Sequence, residues 1–238
     1  MATQSNGRQT TAVRVTVGDG SLTGDLGMRL RPLGLVLFAH GSGSSRHSSR
    51  NQRVARELER RDLATLLIDL LTPQEEAVDE RTAQHRFDIP LLAGRLVTII
   101  DWLGRRHDTA LLPIGLFGAS TGGGAALVAA ADRPDRVAAV VSRGGRPDLA
   151  GAALRHVAAP TLLVVGGLDT PVIQMNRDAM TQMHAEVRLE IVPGATHLFE
   201  EPGTLDRVAD LAGDWFTRYL PRSPSSPVEG LRALLPGL

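Results

Sequence analysis

At 238 residues the chain has the length of one α/β domain with a sizeable core, and two full domains would be cramped. Its 42% apolar and 22% charged residues exclude a disordered or fibrous chain, and 26 basic against 26 acidic side chains give no general attraction for nucleic acid or an anionic membrane surface. Every basic side chain is Arg and there is no Cys, which excludes a Schiff-base or Walker-type lysine, a disulfide, a thiolate nucleophile and a cysteine-ligated metal.

The opening residues 1–8 lack the apolar core of a signal peptide and no later run is long enough to span a bilayer, so a cytoplasmic location is expected. Residues 11–17 alternate as a half-buried strand does, and Gly18-Asp19-Gly20 turns them into a second extended stretch over 22–28. That predicts an N-terminal antiparallel hairpin. Apolar runs with little interruption follow at 33–39, 63–70, 111–117, 137–141, 160–165 and 187–192, as suits strands covered on both faces. Between them the spacing predicts helices over 51–60, 91–103, 123–131, 171–183 and 205–219, while the polar stretch 72–86 reads as a loop. Strand and helix alternate, so the predicted class is α/β: a doubly wound, mostly parallel sheet of about eight strands. Pro221-Arg222-Ser223-Pro224-Ser225-Ser226-Pro227 cannot continue a helix, which divides the chain into a domain over 1–220 and a linker with a short tail over 221–238. The apolar residues 228–238 either fray or dock on their own domain or on a neighbouring subunit of a homodimer.

The chemistry concentrates at strand ends. Gly118-Ala119-Ser120-Thr121-Gly122 follows an apolar strand and opens an Ala-rich helical segment, the context that a G-x-S-x-G nucleophile elbow requires. Gly118 and Gly122 allow a sharp turn around a strained Ser120. A serine hydroxyl is a poor nucleophile at neutral pH, so it needs a base to take its proton and a carboxylate to hold that base. Both partners should lie downstream, acid first. Asp169 in Gly166-Gly167-Leu168-Asp169 and His197 in Gly194-Ala195-Thr196-His197 each stand just past a strand, on the edge where open α/β sheets bind ligands. Of the seven His, His107, His156 and His184 fall in or beside helical or connecting segments and His85 in a polar stretch, so His197 is the base that fits. The Thr121 N–H and one from the loop His40-Gly41-Ser42-Gly43-Ser44-Ser45, with Ser42 the choice, are the candidate oxyanion donors. Arg46 and Arg50 leave that loop and Arg143 and Arg146 the strand before 144. Among these, Arg46 and Arg143 are the candidate substrate-binding residues, able to clamp a carboxylate.

With these residues in place the chain resembles the α/β-hydrolase superfamily over most of its length to Leu220, and residues 40–46, 118–122 and 167–169 are similar to its dienelactone hydrolase-like branch. The resemblance implies hydrolysis of a small-molecule ester, thioester or lactone through an acyl-enzyme, without a cofactor and without a metal. One departure bears on substrate: dienelactone hydrolases proper use a cysteine nucleophile, whereas this chain offers Ser120. Members of the branch also occur fused to a phosphoribosyltransferase domain, for which 238 residues leave no room. The connection between the strands at 137–141 and 160–165 is too short for the inserted helices of capped hydrolases, so little or no cap is expected. With one Tyr, two Trp and five Phe in the chain, small water-soluble esters fit better than long or aromatic ones, unless 72–86 or the tail folds over Ser120. Acyl transfer with the same triad, or a binding protein on the hydrolase fold, are the alternatives.

Overall fold

The computed structural model describes residues 9–220; the linker and tail expected at 221–238 lie outside them. β1 (Gln9–Val17) and β2 (Gly20–Met28) form the expected hairpin, paired antiparallel from Gln9 opposite Met28 to Val17 opposite Gly20. The remaining strands are β3 (Leu35–Ala39), β4 (Ala64–Ile68), β5 (Ile114–Ala119), β6 (Val137–Arg143), β7 (Thr161–Gly166) and β8 (Val187–Val192). They join the hairpin in one eight-stranded sheet of order β1-β2-β4-β3-β5-β6-β7-β8. β2 pairs antiparallel with both its neighbours, and every pairing from β4 to β8 is parallel. β3, β4, β5 and β7 are buried along their whole length, which is why they read as unbroken apolar runs.

Helices cover both faces. α1 (Ser49–Arg60) and α6 (Thr204–Tyr219) enclose one core with Phe38, Phe117 and Val141, whereas α3 (Ile89–Leu103) and α4 (Thr121–Asp132) enclose another with Leu37, Leu116 and Val140. Neighbouring residues of one strand thus feed opposite cores, as period-2 alternation demands. α5 (Thr170–Met180) packs beside β7. The 17 residues between Arg143 and Thr161 hold a 3₁₀ segment, Pro147–His156, kinked at Gly151, which packs against α4 and α5. No cap is inserted there.

One expectation fails. The stretch read as a polar loop contains α2 (Pro73–Thr82), opened by a capping box in which Thr72 Oγ1 accepts the Glu75 N–H and Glu75 Oε2 accepts the Thr72 N–H at 2.7 Å. Pro73 at the first helical position suits the start as well. Only Asp79 of this helix is buried, so no apolar stripe marks it, and the capping letters alone carried the signal. The Asp79 carboxylate accepts the backbone N–H groups of His85 and Arg86 and the Arg86 Nε–H at 2.7 Å, tying the residues that follow the helix back onto its last turn.

Candidate active site

Ser120 closes β5 and opens α4 with φ 50° and ψ −122°, a conformation rare for a residue with a side chain. The surrounding turn leaves no room for other side chains. A Cβ on Gly118 would sit 2.5 Å from Gly123 Cα, and one on Gly122 would sit 2.3 Å from the Ala39 carbonyl oxygen, so both positions require glycine. The backbone is fixed from the neighbouring strand, because the Ser120 N–H donates to the Arg143 carbonyl at 3.2 Å and the Ser120 carbonyl accepts from Gly123 and Arg146.

Asp169 caps the start of α5 and His197 lies in the loop after β8, so each is delivered to the same sheet edge as Ser120. His197 Nε2 is 3.3 Å from Ser120 Oγ, and His197 Nδ1 is 2.6 Å from Asp169 Oδ2. The three predicted residues meet in the predicted sequence of contacts. The two loops that bring them together touch through backbone: a Cβ on Gly166 would collide with the carbonyl oxygens of Ala195 and Thr196 at 2.4 and 2.5 Å. Glu201 braces the far side of the loop, its carboxylate accepting the Thr196 N–H and hydroxyl, and those bonds hold it below the usual carboxylate range. An imidazole so oriented can take a proton from the hydroxyl while the carboxylate holds its tautomer.

The Ser42 and Thr121 backbones are also brought together, with a feature that spacing does not reveal. The Ser42 N–H donates to Thr121 Oγ1 at 2.9 Å, tying the loop after β3 to the first turn of α4. His40, not singled out by the sequence reading, supports the same loop from below. Its Nδ1 lies 3.0 Å from the Gly41 carbonyl and must donate, so Nε2 is the acceptor for the Leu70 N–H at 3.0 Å. Burial pushes this imidazole below its ordinary value despite the opposing Gly41 bond and Asp69 charge, so it stays in that neutral tautomer. A cavity of about 470 Å³, lined by His40, Ser44, Ser45, Leu71, Pro73 and Glu76 among others, opens beside this loop. On the loop's other flank, Arg86 stands close to Gly43.

The two candidate substrate arginines part company. Arg46, expected to be available to a substrate, does not stand free: its guanidinium is ion-paired with Asp69 and lies 3.4 Å from Asp25, and its backbone N–H donates to Asp69 Oδ1 at 2.8 Å. It anchors the loop to β2 and to the residue after β4. Arg143 is buried beneath the site, 7% exposed, with its guanidinium carbon 6.0 Å from the Phe199 ring centroid. Arg146 is held by Asp148. Among the described residues no cluster of three or more His, Asp or Glu is placed to hold a metal ion, and no helix is long and apolar enough to cross a membrane.

Residues 48–219 match the family model of the dienelactone hydrolase family. The crystal structure of a dienelactone hydrolase from Anabaena variabilis ATCC 29413 is 61% identical, covers 90% of this chain and 99% of its own, and superposes with a TM-score of 0.89. Est1E from Butyrivibrio proteoclasticus shares the fold at 16% identity, with a TM-score of 0.72 over 87% of this chain and 98% of its own. A protein of Mycobacterium tuberculosis strain H37Rv that bears the name "Putative phosphoribosyl transferase" is 57% identical over 208 residues, 87% of this chain. The chain spans 46% of that relative's length.

Proposed function

The chain belongs to the dienelactone hydrolase family, and from that premise we propose that it is a serine hydrolase of small carboxylic esters, thioesters or lactones, acting through an acyl-enzyme on Ser120. The observation that carries this reading is the chain of contacts from Asp169 Oδ2 to His197 Nδ1 at 2.6 Å and from His197 Nε2 to Ser120 Oγ at 3.3 Å. Asp169 holds the Nδ1–H tautomer, which leaves the Nε2 lone pair facing the hydroxyl. As Oγ bonds to the acyl carbon, Nε2 takes its proton. The proton then passes to the leaving oxygen as the ester C–O bond breaks. A water molecule repeats the sequence on the acyl-enzyme and returns the proton to Oγ.

The tetrahedral intermediate needs donors aimed at its oxygen. The Thr121 N–H is one. The Ser42 N–H is the second, exchanging its resting bond to Thr121 Oγ1 for the developing oxyanion. Small substrates follow from the absence of an inserted cap between β6 and β7 together with the scarcity of aromatic side chains in the chain.

Replacing Ser120 by Ala should lower hydrolysis of 4-nitrophenyl acetate by about 10³-fold or more. A fluorophosphonate should label the wild-type protein stoichiometrically and the Ser120→Ala variant not at all. Parental turnover in that variant would refute the assignment.

A further inference from the structure

The residues that follow β6 grip Ser120 from both sides. The Arg143 carbonyl accepts the Ser120 N–H at 3.2 Å, and the Arg146 N–H donates to the Ser120 carbonyl at 3.1 Å. Between those two bonds the backbone of Ser120 is kept at φ 50°, a conformation that persists only where its surroundings over-determine it.

The gripping loop is itself held. The Gly144 N–H donates to the Val164 carbonyl at 2.7 Å, and a Cβ on Gly145 would overlap Ser142 Oγ. The Gly145 carbonyl accepts from Asn176 Nδ2 at 3.1 Å. In a trans peptide the C=O and the N–H of one plane point in opposite directions. The plane that joins Gly145 to Arg146 therefore receives Asn176 on its oxygen and presents its N–H to the Ser120 carbonyl. A donor that polarises the oxygen of such a plane strengthens the N–H across it, so the two bonds support each other.

Asn176 is costly where it stands. It is fully buried in α5, and asparagine is a poor residue for a helix interior. Its second N–H donates to the Val172 carbonyl at 2.8 Å, while Oδ1 has no hydrogen-bond partner. A buried amide satisfied on one side only costs stability that an apolar side chain would not. The donor is the half of the amide that is used. Seven residues, two helical turns, separate Asn176 from Asp169 at the head of α5, so both lie on one side of that helix.

Resting on the Ser120 reading, we infer that Asn176 is a positioning residue for the nucleophile. Its side-chain N–H fixes the Gly145–Arg146 peptide plane and, through that plane, the strained backbone of Ser120. It also ties the helix that carries Asp169 to the turn that carries Ser120, so acid and nucleophile keep one register. Without the donor the plane rotates, the Arg146 N–H turns from the Ser120 carbonyl, and Oγ loses its aim at His197 Nε2.

The test uses Asn176→Ala, which leaves space, and Asn176→Leu, which fills it, so that a loss shared by both follows the N–H and not the volume. Ala179→Gly, three residues on in α5, loosens the same helix without removing a polar side chain and serves as the stability control. Active sites are counted by fluorophosphonate titration, and turnover of 4-nitrophenyl acetate is expressed per labelled site. Both Asn176 variants should lose about 5- to 10-fold in kcat and in the labelling rate constant, the factor equivalent to one ordinary hydrogen bond, with KM changed less than about twofold. Ala179→Gly should keep parental values per site. Amide hydrogen exchange gives a readout independent of catalysis: the Arg146 N–H should exchange faster in both Asn176 variants than in wild type and in Ala179→Gly. Parental kcat per site in either Asn176 variant, an equal loss in Ala179→Gly, or unchanged Arg146 exchange would overturn the inference. If wild type were neither labelled nor active while Arg146 exchange still rose in the Asn176 variants, the Ser120 reading would fall and the hold of Asn176 on the turn would stand.

Discussion

Thr121 occupies the point where two halves of the proposed oxyanion hole meet, its backbone at the start of α4 and its hydroxyl on the Ser42 N–H. The Thr121 side chain is 3% exposed but the Ser42 donor is only half-buried, so water can take part of the place of a lost hydroxyl. Thr121→Val keeps the volume and should cost about 0.5 to 1.5 kcal/mol of stability, the net contribution of an ordinary hydrogen bond. It should also lower kcat with little change in KM, because the Ser42 donor loses the contact that positions it. Thr121→Ser should restore both, measured by denaturant unfolding and steady-state kinetics. Asp169→Asn bears on a different bond: an amide in place of the carboxylate favours the wrong His197 tautomer, and kcat is expected to drop by about 10³- to 10⁴-fold with the fold intact.

At the scale of elements, the site is a junction of β-strand ends held together by backbone close approach and by one buried imidazole. His40 links β3 to the residues after β4 only while Nε2 is unprotonated and can accept the Leu70 N–H. Its folded value is depressed, so the folded protein binds fewer protons here than the unfolded chain does; stability is full above the ordinary value of 6.5 and is lost as the pH falls below it. The thermal midpoint should therefore decrease from pH 7.5 towards pH 5.5, and the decrease should be smaller in His40→Gln. At the elbow, Gly118→Ala sets a methyl group against the Gly122 oxygen and Gly123 Cα, both backbone. Neither can swing aside. Folded yield should fall, and the surviving enzyme should react more slowly with a fluorophosphonate. α2 shows how an element escapes detection: a helix with a polar surface presents no period, and only Thr72-Pro73 with Glu75 reveals its start.

For the whole molecule, equal numbers of acidic and basic side chains leave no long-range field, so any charge selectivity has to come from groups inside the site. Absence of an inserted cap bears on acyl length. Each methylene buried from water contributes about 0.8 kcal/mol, a gain that only an enclosing wall can collect. Efficiency on neutral 4-nitrophenyl esters is expected to peak between acetyl and butyryl and to fall at octanoyl. A continued rise through decanoyl would point to a wall formed from outside the described core.

The sequence by itself determined the α/β class, the hairpin, the order of the strands and of every helix but α2, and the three residues that meet at the strand ends. Those features are local: they rest on periodicity, on glycines at the turn, and on which letters follow each strand, and neighbouring residues decide them. Only the tertiary structure decided what each polar group has as a partner. Arg46 and Arg143 are equivalent as letters at strand and loop ends, yet one is ion-paired with Asp69, 23 positions away, and the other is buried beside Phe199 with Nε and Nη1 unpaired. The Ser42 N–H likewise finds its acceptor 79 positions away. Coulomb and hydrogen-bond energies depend on separation in space and on burial from water, and neither quantity is written in the spacing of residues along the chain.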